Sequence, residues 1–251
     1  MEKQSIGKRL AQAVRHGLES CTVCCHEPAT SADPATRQRL LVQARHVFAT
    51  KGSSVTVRDI CRAANANVAA VSYHFGGKDG LLAEVLGRHL DDLLVLYPMD
   101  GGIPATAPAR ERLHGFVRGF LCRILLPTDQ RDDVLLGQML SDAFVRPSPA
   151  FEPYADRHRR AVGEFLIPLI RELAGSPAEM PYDTAMLIVR SIVSQILFYN
   201  HNRDKLIALR GGQAFSPEDI RDVAGHITQF CLGGIRQVLE QGTCEEYYNG
   251  V

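Results

Sequence analysis

The chain has 251 residues, 45% hydrophobic and 22% charged, with 28 basic and 28 acidic side chains. That composition is ordinary for a globular chain, and no apolar run approaches the ~18–20 residues needed to span a bilayer. The even charge balance conceals an asymmetry: residues 1–78 hold 11 Lys and Arg against 5 Asp and Glu, and residues 79–251 hold 17 against 23. A basic N-terminal third on an acidic remainder points to a polyanion-binding head on a body that avoids polyanions.

Residues 1–33 read as an N-terminal extension. Ile6, Leu10, Val14 and Leu18 recur every four residues, as in a short amphipathic helix, and HEPATSADP reads as a linker. The first twenty residues carry charges throughout and lack the apolar core of a signal peptide, so the expected location is the cytoplasm. Among the seven cysteines, the only dense cluster is Cys21-Thr-Val-Cys24-Cys25-His26. Zinc takes four ligands, usually as two separated pairs, and no second Cys/His pair follows at such spacing, so no metal is expected. Cys61, Cys122 and Cys231 fall inside helical patterns, where a free thiol acts as a small hydrophobe.

From Pro34 the pattern becomes regular. Leu40, Leu41, Ala44, Val47 and Phe48 form one apolar stripe, and Lys51-Gly52 supplies a basic last turn and a glycine stop. Thr56 opens a second helix with Asp59 three residues on, a capping box with the shorter acid. That helix, Val57 to Ala64, ends at Asn65, one of the few residues besides glycine that tolerates the left-handed turn a tight helix–helix junction needs. A third helix starts near Val68 and stops at Gly76-Gly77, which makes a helix-turn-helix unit. A fourth runs from about Lys78 to Tyr97, with Leu81, Leu82, Val85, Leu86, His89, Leu90 and Leu93 on its buried side.

DGGIPATAPA (100–109) is a Gly/Pro/Ala-rich break. Beyond it Leu113, Phe116, Val117, Phe120, Leu121 and Ile124 form a broad stripe that ends before Pro127. Further helices are predicted from about Asp132 to Phe144 and from Phe151 to Leu173, the latter kinked at Pro168. Asp183 to Asn200 is apolar on nearly every side, so a partner must cover it on all sides, within its own domain or from a second subunit. The final helix opens at Ser216-Pro217-Glu218-Asp219, with an N-cap serine, a first-turn proline and early acids. It carries Gly225, Gly233 and Gly234 beside its apolar stripe, where another helix could approach closely. Strand-like alternation never persists, so the fold class is all-α: a helix-turn-helix head at 34–80 and a helical body at 81–251. A homodimer through the helices at 183–200 and 217–240 fits this pattern.

The stretch NVAAVSYHFGGK (67–78) carries the functional signal. Small Ala69 and Ala70 leave the third helix slim enough to enter a major groove about 12 Å wide. Gly76-Gly77 free the first amides of the fourth helix as donors for a phosphate, and Lys78 adds a charge. Tyr73 and His74 can donate to phosphates, while Phe75 packs inward. The rivals are weak: no GxSxG, P-loop, HExxH or GxGxxG occurs, and His74 has no nucleophile or oriented acid beside it. Arg157-His158-Arg159-Arg160 reads as a solvated helix face, and Tyr199-Asn200-His201-Asn202 equally as a cavity wall or a polar helix end.

Residues 35–82 resemble the DNA-binding domain of TetR-family transcriptional regulators, in the V-R-D-I second helix, the Y-H-F ending and the following G-K-D-x-L-L. The wording from Asn67 to Leu82, with the long C-terminal region, is similar to the CecR-like subgroup. The resemblance implies a homodimeric repressor of an operator, released by a small-molecule effector and needing no cofactor. It places Thr56 and Arg58 on the DNA backbone, Asn67, Val68, Ala69 and Ala70 toward the groove with Ser72 beside them, Tyr73 and His74 on phosphates, and Lys78 as anchor of the fourth helix. Two departures stand out: Asn65 replaces the usual glycine, and Ala69-Ala70 replaces a frequent glycine-threonine pair. Helix face and composition nominate Phe116, Phe120, Met139, Phe144, Phe165, Gln195 and Tyr199 as effector contacts. A constitutive DNA-binding protein, or an enzyme using the C-terminal cavity, is the alternative.

Overall fold

The computed structural model describes residues 33–126, 133–175 and 180–240. The extension with its proposed helix, and the Cys21–His26 cluster, lie outside these residues. Among the described residues there are ten α-helices and no strand: α1 (Pro34–Lys51), α2 (Val57–Ala64), α3 (Val68–Phe75), α4 (Lys78–Leu96), α5 (Ala109–Leu125), α6 (Asp133–Val145), α7 (Glu152–Leu173), α8 (Tyr182–His201), α9 (Arg203–Leu209) and α10 (Pro217–Glu240). None is long and apolar enough to cross a membrane. The seven-residue α9 was not anticipated, and α7 runs continuously through Pro168.

Local chemistry sets the ends of these helices. Asp33 caps α1, its carboxylate accepting from the Ala35 amide at 3.0 Å. The Thr56 hydroxyl accepts from the Asp59 amide at 3.2 Å, and the Asp59 carboxylate accepts in return from the Thr56 amide at 3.0 Å. The Thr56 hydroxyl also donates to the Asp59 carboxylate at 2.6 Å, and this bond first, then that from the Thr56 amide, with help from Lys51, holds the Asp59 carboxyl down at about 2. Ser216 and Asp219 repeat the same reciprocal pair before α10. Asn65 adopts φ 47°, ψ 53°, the left-handed conformation its side chain tolerates.

Two apolar cores result. The first joins α1–α4 through Leu40, Phe48, Ile60, Val71, Leu81 and Leu86, and it also takes in Leu136 and Leu140 of α6 and Phe151 and Ala155 from the start of α7. The second joins α5, α7, α8 and α10 through Leu113, Phe116, Leu121, Leu166, Ile192 and Ile227. Helix α6 thus belongs, by packing, to the head: it lies against α1 and α4. Gly80 lets the first turn of α4 close onto the end of α3, because a Cβ there would sit 1.8 Å from the Phe75 carbonyl oxygen.

Candidate nucleic-acid interface and ligand cavity

The outward face of the head is built by α2, the Asn65 turn and α3. Thr56, Arg58, Asn67, Ala69 and Ser72 are exposed, Val68 is 48% exposed and Tyr73 65%. Large apolar and aromatic groups held in water this way are costly unless something covers them in use. Asn67 caps α3, its side-chain oxygen accepting from the Ala69 amide at 3.0 Å. Ala70 does not share this face. It is 1% exposed and, with Val71, packs into the head core. At ~100° per residue, Val68, Ala69, Ser72 and Tyr73 fall on one side of α3, and Ala70 and Val71 turn to the side seated against the core.

The turn into α4 carries the other expected features. Gly76 ends α3 at φ 70° and Gly77 precedes α4 at φ 122°, both in conformations that favour glycine. No side chain caps the first amides of α4. Lys78 is half-buried, and its ammonium donates to the Ser53 carbonyl at 3.1 Å, tying α4 to the turn after α1. Phe75 packs inward, with the Arg37 guanidinium 5.0 Å from its ring centre; Arg37 also pairs with Glu84 at 2.5 Å. One arginine thereby links α1, α3 and α4. His74 sits edge-on between Tyr73 and Phe75, and its Nε2 is shut off from solvent without a hydrogen-bond partner, so that nitrogen does not reach the surface.

A cavity of about 510 Å³ lies where the two cores meet. His89, Leu90 and Leu93 of α4 and Leu140, Ser141 and Phe144 of α6 wall one side; Phe120 and Arg123 of α5, His158 and Val162 of α7, and Val189, Val193 and Asn200 of α8 wall the other. Of the seven nominated contacts, only Phe120 and Phe144 line it. Phe116 is fully buried, stacked on Phe165 at 5.6 Å in the body core. Met139 packs on the head core, Tyr199 against Phe215, and the Gln195 amide donates to the Ser191 carbonyl at 3.3 Å. An apolar residue on the wall and one behind it look alike in a helical pattern, which is why Phe116, Met139, Phe165 and Tyr199 misled; the Gln195 amide is turned to Cys231 Sγ of α10 at 3.4 Å.

The polar lining was missed, although it left a trace. Arg123 falls three residues after Phe120 and seven after Phe116, on the apolar stripe itself. His158 stands three residues after Ala155 and four before Val162, so it turns inward while Arg157, Arg159 and Arg160 of the same run stay exposed. Burial, then the charges of Arg123 and Arg157, push the His158 imidazole down to about 4. Asn200 and His201 do line the cavity, and Asn200 donates to Ser141 across it.

Residues 109–235 match the family model described as the C-terminal domain of the HTH-type transcriptional dual regulator CecR, and residues 40–85 match that of bacterial regulatory proteins, tetR family. The CecR dual regulator of Shigella flexneri is 24% identical over 195 residues, covering 72% of this chain and 83% of that protein. A transcriptional regulator from Rhodococcus sp. superposes with TM-score 0.55 at 18% identity, covering 79% of this chain and 96% of its own. AibR, solved with isovaleryl coenzyme A and operator DNA, gives 0.51 at 14% identity, covering 77% and 97%. These structures share the fold. With a CecR-type domain matched over half its length behind a TetR-type head, the chain belongs to the TetR family of DNA-binding transcriptional regulators.

Proposed function

We propose that this regulator is a homodimeric, effector-responsive repressor, with a DNA-binding head at 34–80 that α4 and α6 complete by packing, and an effector-binding and dimerising body in the remainder of 81–251. The observation that carries this reading is the position of the cavity: α4 and α6 contribute side chains both to its wall and to the core of the head. A molecule filling that space bears directly on the helices that carry α2 and α3. Occupancy would favour the head orientation whose cavity fits it best, and the shift is bounded by its difference in affinity between the two arrangements. A constitutive DNA binder would have no use for such a space.

On DNA, Asn67, Val68, Ala69 and Ser72 face the major groove, Thr56, Arg58 and Tyr73 meet the backbone, and the uncapped start of α4 receives a phosphate, with Lys78 holding that helix in place. Apolar Val68 and Ala69 suit thymine methyls. Two heads read half-sites one helical turn apart or a multiple of it, so the dimer sets the operator spacing. The dimer surface is the outer side of α8 and α10. Leu187, Phe198 and Phe230 are 57%, 54% and 64% exposed there, and among the described residues nothing but the adjoining backbone of α10 lies within 4 Å of a Cβ placed on Gly225, Gly233 or Gly234. An apolar face with small residues of this kind is suited to a helix from a second copy.

The test uses DNA from upstream of the protein's own gene. Tyr73→Ala combined with Lys78→Ala is expected to weaken binding at least about tenfold and to flatten its dependence on salt. An unchanged affinity and salt slope in the folded double variant would sink the proposed interface.

A further inference from the structure

The walls of the cavity are apolar on most sides, and their polar part has one sign. Arg123, Arg159, Arg190 and Arg203 line it with His89, His158 and His201, and among the described residues no aspartate or glutamate does. These cations are not equivalent. Arg159 is exposed and held by Glu152 at 2.5 Å and Asp156 at 2.6 Å. Arg190 is exposed and Arg203 half-buried.

Arg123 is different. It is 7% exposed, in the last turn of α5. One guanidinium nitrogen, Nη1, donates to the Tyr97 carbonyl at 2.6 Å, and the guanidinium lies 5.0 Å from the centre of the Phe120 ring. The other, Nη2, is sealed from solvent with no hydrogen-bond partner. Burial lowers its pKa to about 10, which still leaves it a cation near neutral pH, and no carboxylate contributes to holding that charge. A buried charge without a counter-ion is expensive, and a carbonyl dipole and a ring face offset only part of the cost. Arg123 lines the cavity, so an oxygen anion bound there could supply, after a small rotation of the guanidinium, the partner that Nη2 lacks.

We propose that the effector is an apolar molecule with one acidic head group, carboxylate or phosphate, which enters as an anion and takes the Arg123 guanidinium as its partner. This rests on reading the cavity as the effector site. The apolar body lies against Leu93, Phe120, Phe144, Val162, Val189 and Val193, and Ser141 and Asn200 offer further polar contacts. The missing counter-ion of Arg123 arrives with the ligand, so the energy of desolvating that arginine is already spent in the empty protein. A neutral molecule of the same shape leaves Nη2 unpaired.

The experiment uses the full chain and N-phenyl-1-naphthylamine, an uncharged fluorescent probe of apolar cavities. Octanoate, octyl phosphate and 1-octanol, which share one chain and differ in the head group, are titrated as competitors. At least one acid is expected to displace the probe at a concentration about tenfold or more below that of octanol. Which acid does so distinguishes a carboxylate from a phosphate effector. In Arg123→Met the acids should fall to the level of octanol while octanol stays within about twofold. Arg123→Lys should retain part of the preference. Octanol matching both acids in the wild type overturns the proposal without any variant, so it stays testable if Arg123→Met misfolds. A preference for acids that survives in Arg123→Met overturns it as well. If the probe fails to bind folded wild type, the cavity is no ligand site, and the effector reading falls together with the head-group assignment.

Discussion

The two candidate sites are assembled in opposite ways. The head face comes from one stretch, residues 56–78, and most positions in it are set by a neighbour a few residues away: Thr56 by Asp59, Ala69 by Asn67, the start of α4 by Gly76 and Gly77. The cavity draws its wall from six helices, from His89 to Arg203, and no two neighbouring helices make it alone. A site of the first kind keeps its geometry as long as its own segment folds. One of the second kind depends on packing between distant helices, so disturbing the wall should be felt in the head.

Leu136 gives the sharpest way to break that comparison. It is fully buried in the head core, although it sits in α6, about sixty residues past the end of the helix-turn-helix. Leu136→Ala should cost about 3 kcal/mol by lost burial plus the cavity it leaves. Thermal unfolding would show this as a drop of several degrees, with weaker probe binding, because the same helix presents Leu140, Ser141 and Phe144 to the cavity. A loss below about 1 kcal/mol would mean that α6 is not part of the head's support.

The same contrast explains what the sequence let through. Caps, the left-handed Asn65, the inward Phe75 and the all-α class follow from short-range rules, and each was legible. The outward face of α3 was legible except at Ala70 and at His74, whose Nε2 is shut in, because an eight-residue helix offers too little pattern to fix its rotation. The cavity was scarcely legible, since helical periodicity says which side of α5 or α8 is apolar and not whether another helix fills the space beside it. Phe116 and Phe120 lie on one stripe, yet one is core and the other wall. Arg123 and His158 carried the better signal, because a polar residue on an apolar stripe must be satisfied by something.

His158 sharpens the comparison from the cavity side. Its folded pKa, about 4, lies below the ordinary histidine value of 6.5, so between these values the unfolded chain binds the proton more readily. Stability should therefore be unaffected by this group above about pH 6.5 and fall as the pH drops towards 4, by up to about 3 kcal/mol in all. His158→Phe should flatten that part of the stability–pH curve in urea melts followed at several pH values. If the wild-type and variant curves stay parallel from pH 7 to pH 4, His158 is not held neutral in the cavity wall.

Thr56 offers the smallest effect and the cleanest test of locality. Its hydroxyl accepts from the Asp59 amide and donates to the Asp59 carboxylate at 2.6 Å, so it is already committed within the capping box. Thr56→Ala should cost about 1 kcal/mol, and Thr56→Ser much less, because the serine hydroxyl can remake both bonds. The Asp59 carboxyl, held at about 2 chiefly by the Thr56 side chain, should titrate closer to the ordinary carboxylate range in the alanine variant and stay low in the serine one, as followed by NMR. Probe affinity in the cavity should not change in either, since neither Thr56 nor Asp59 lines it. A change there would mean that even the most local part of the head is coupled to the cavity, and the division between a self-contained face and a distributed pocket would no longer hold.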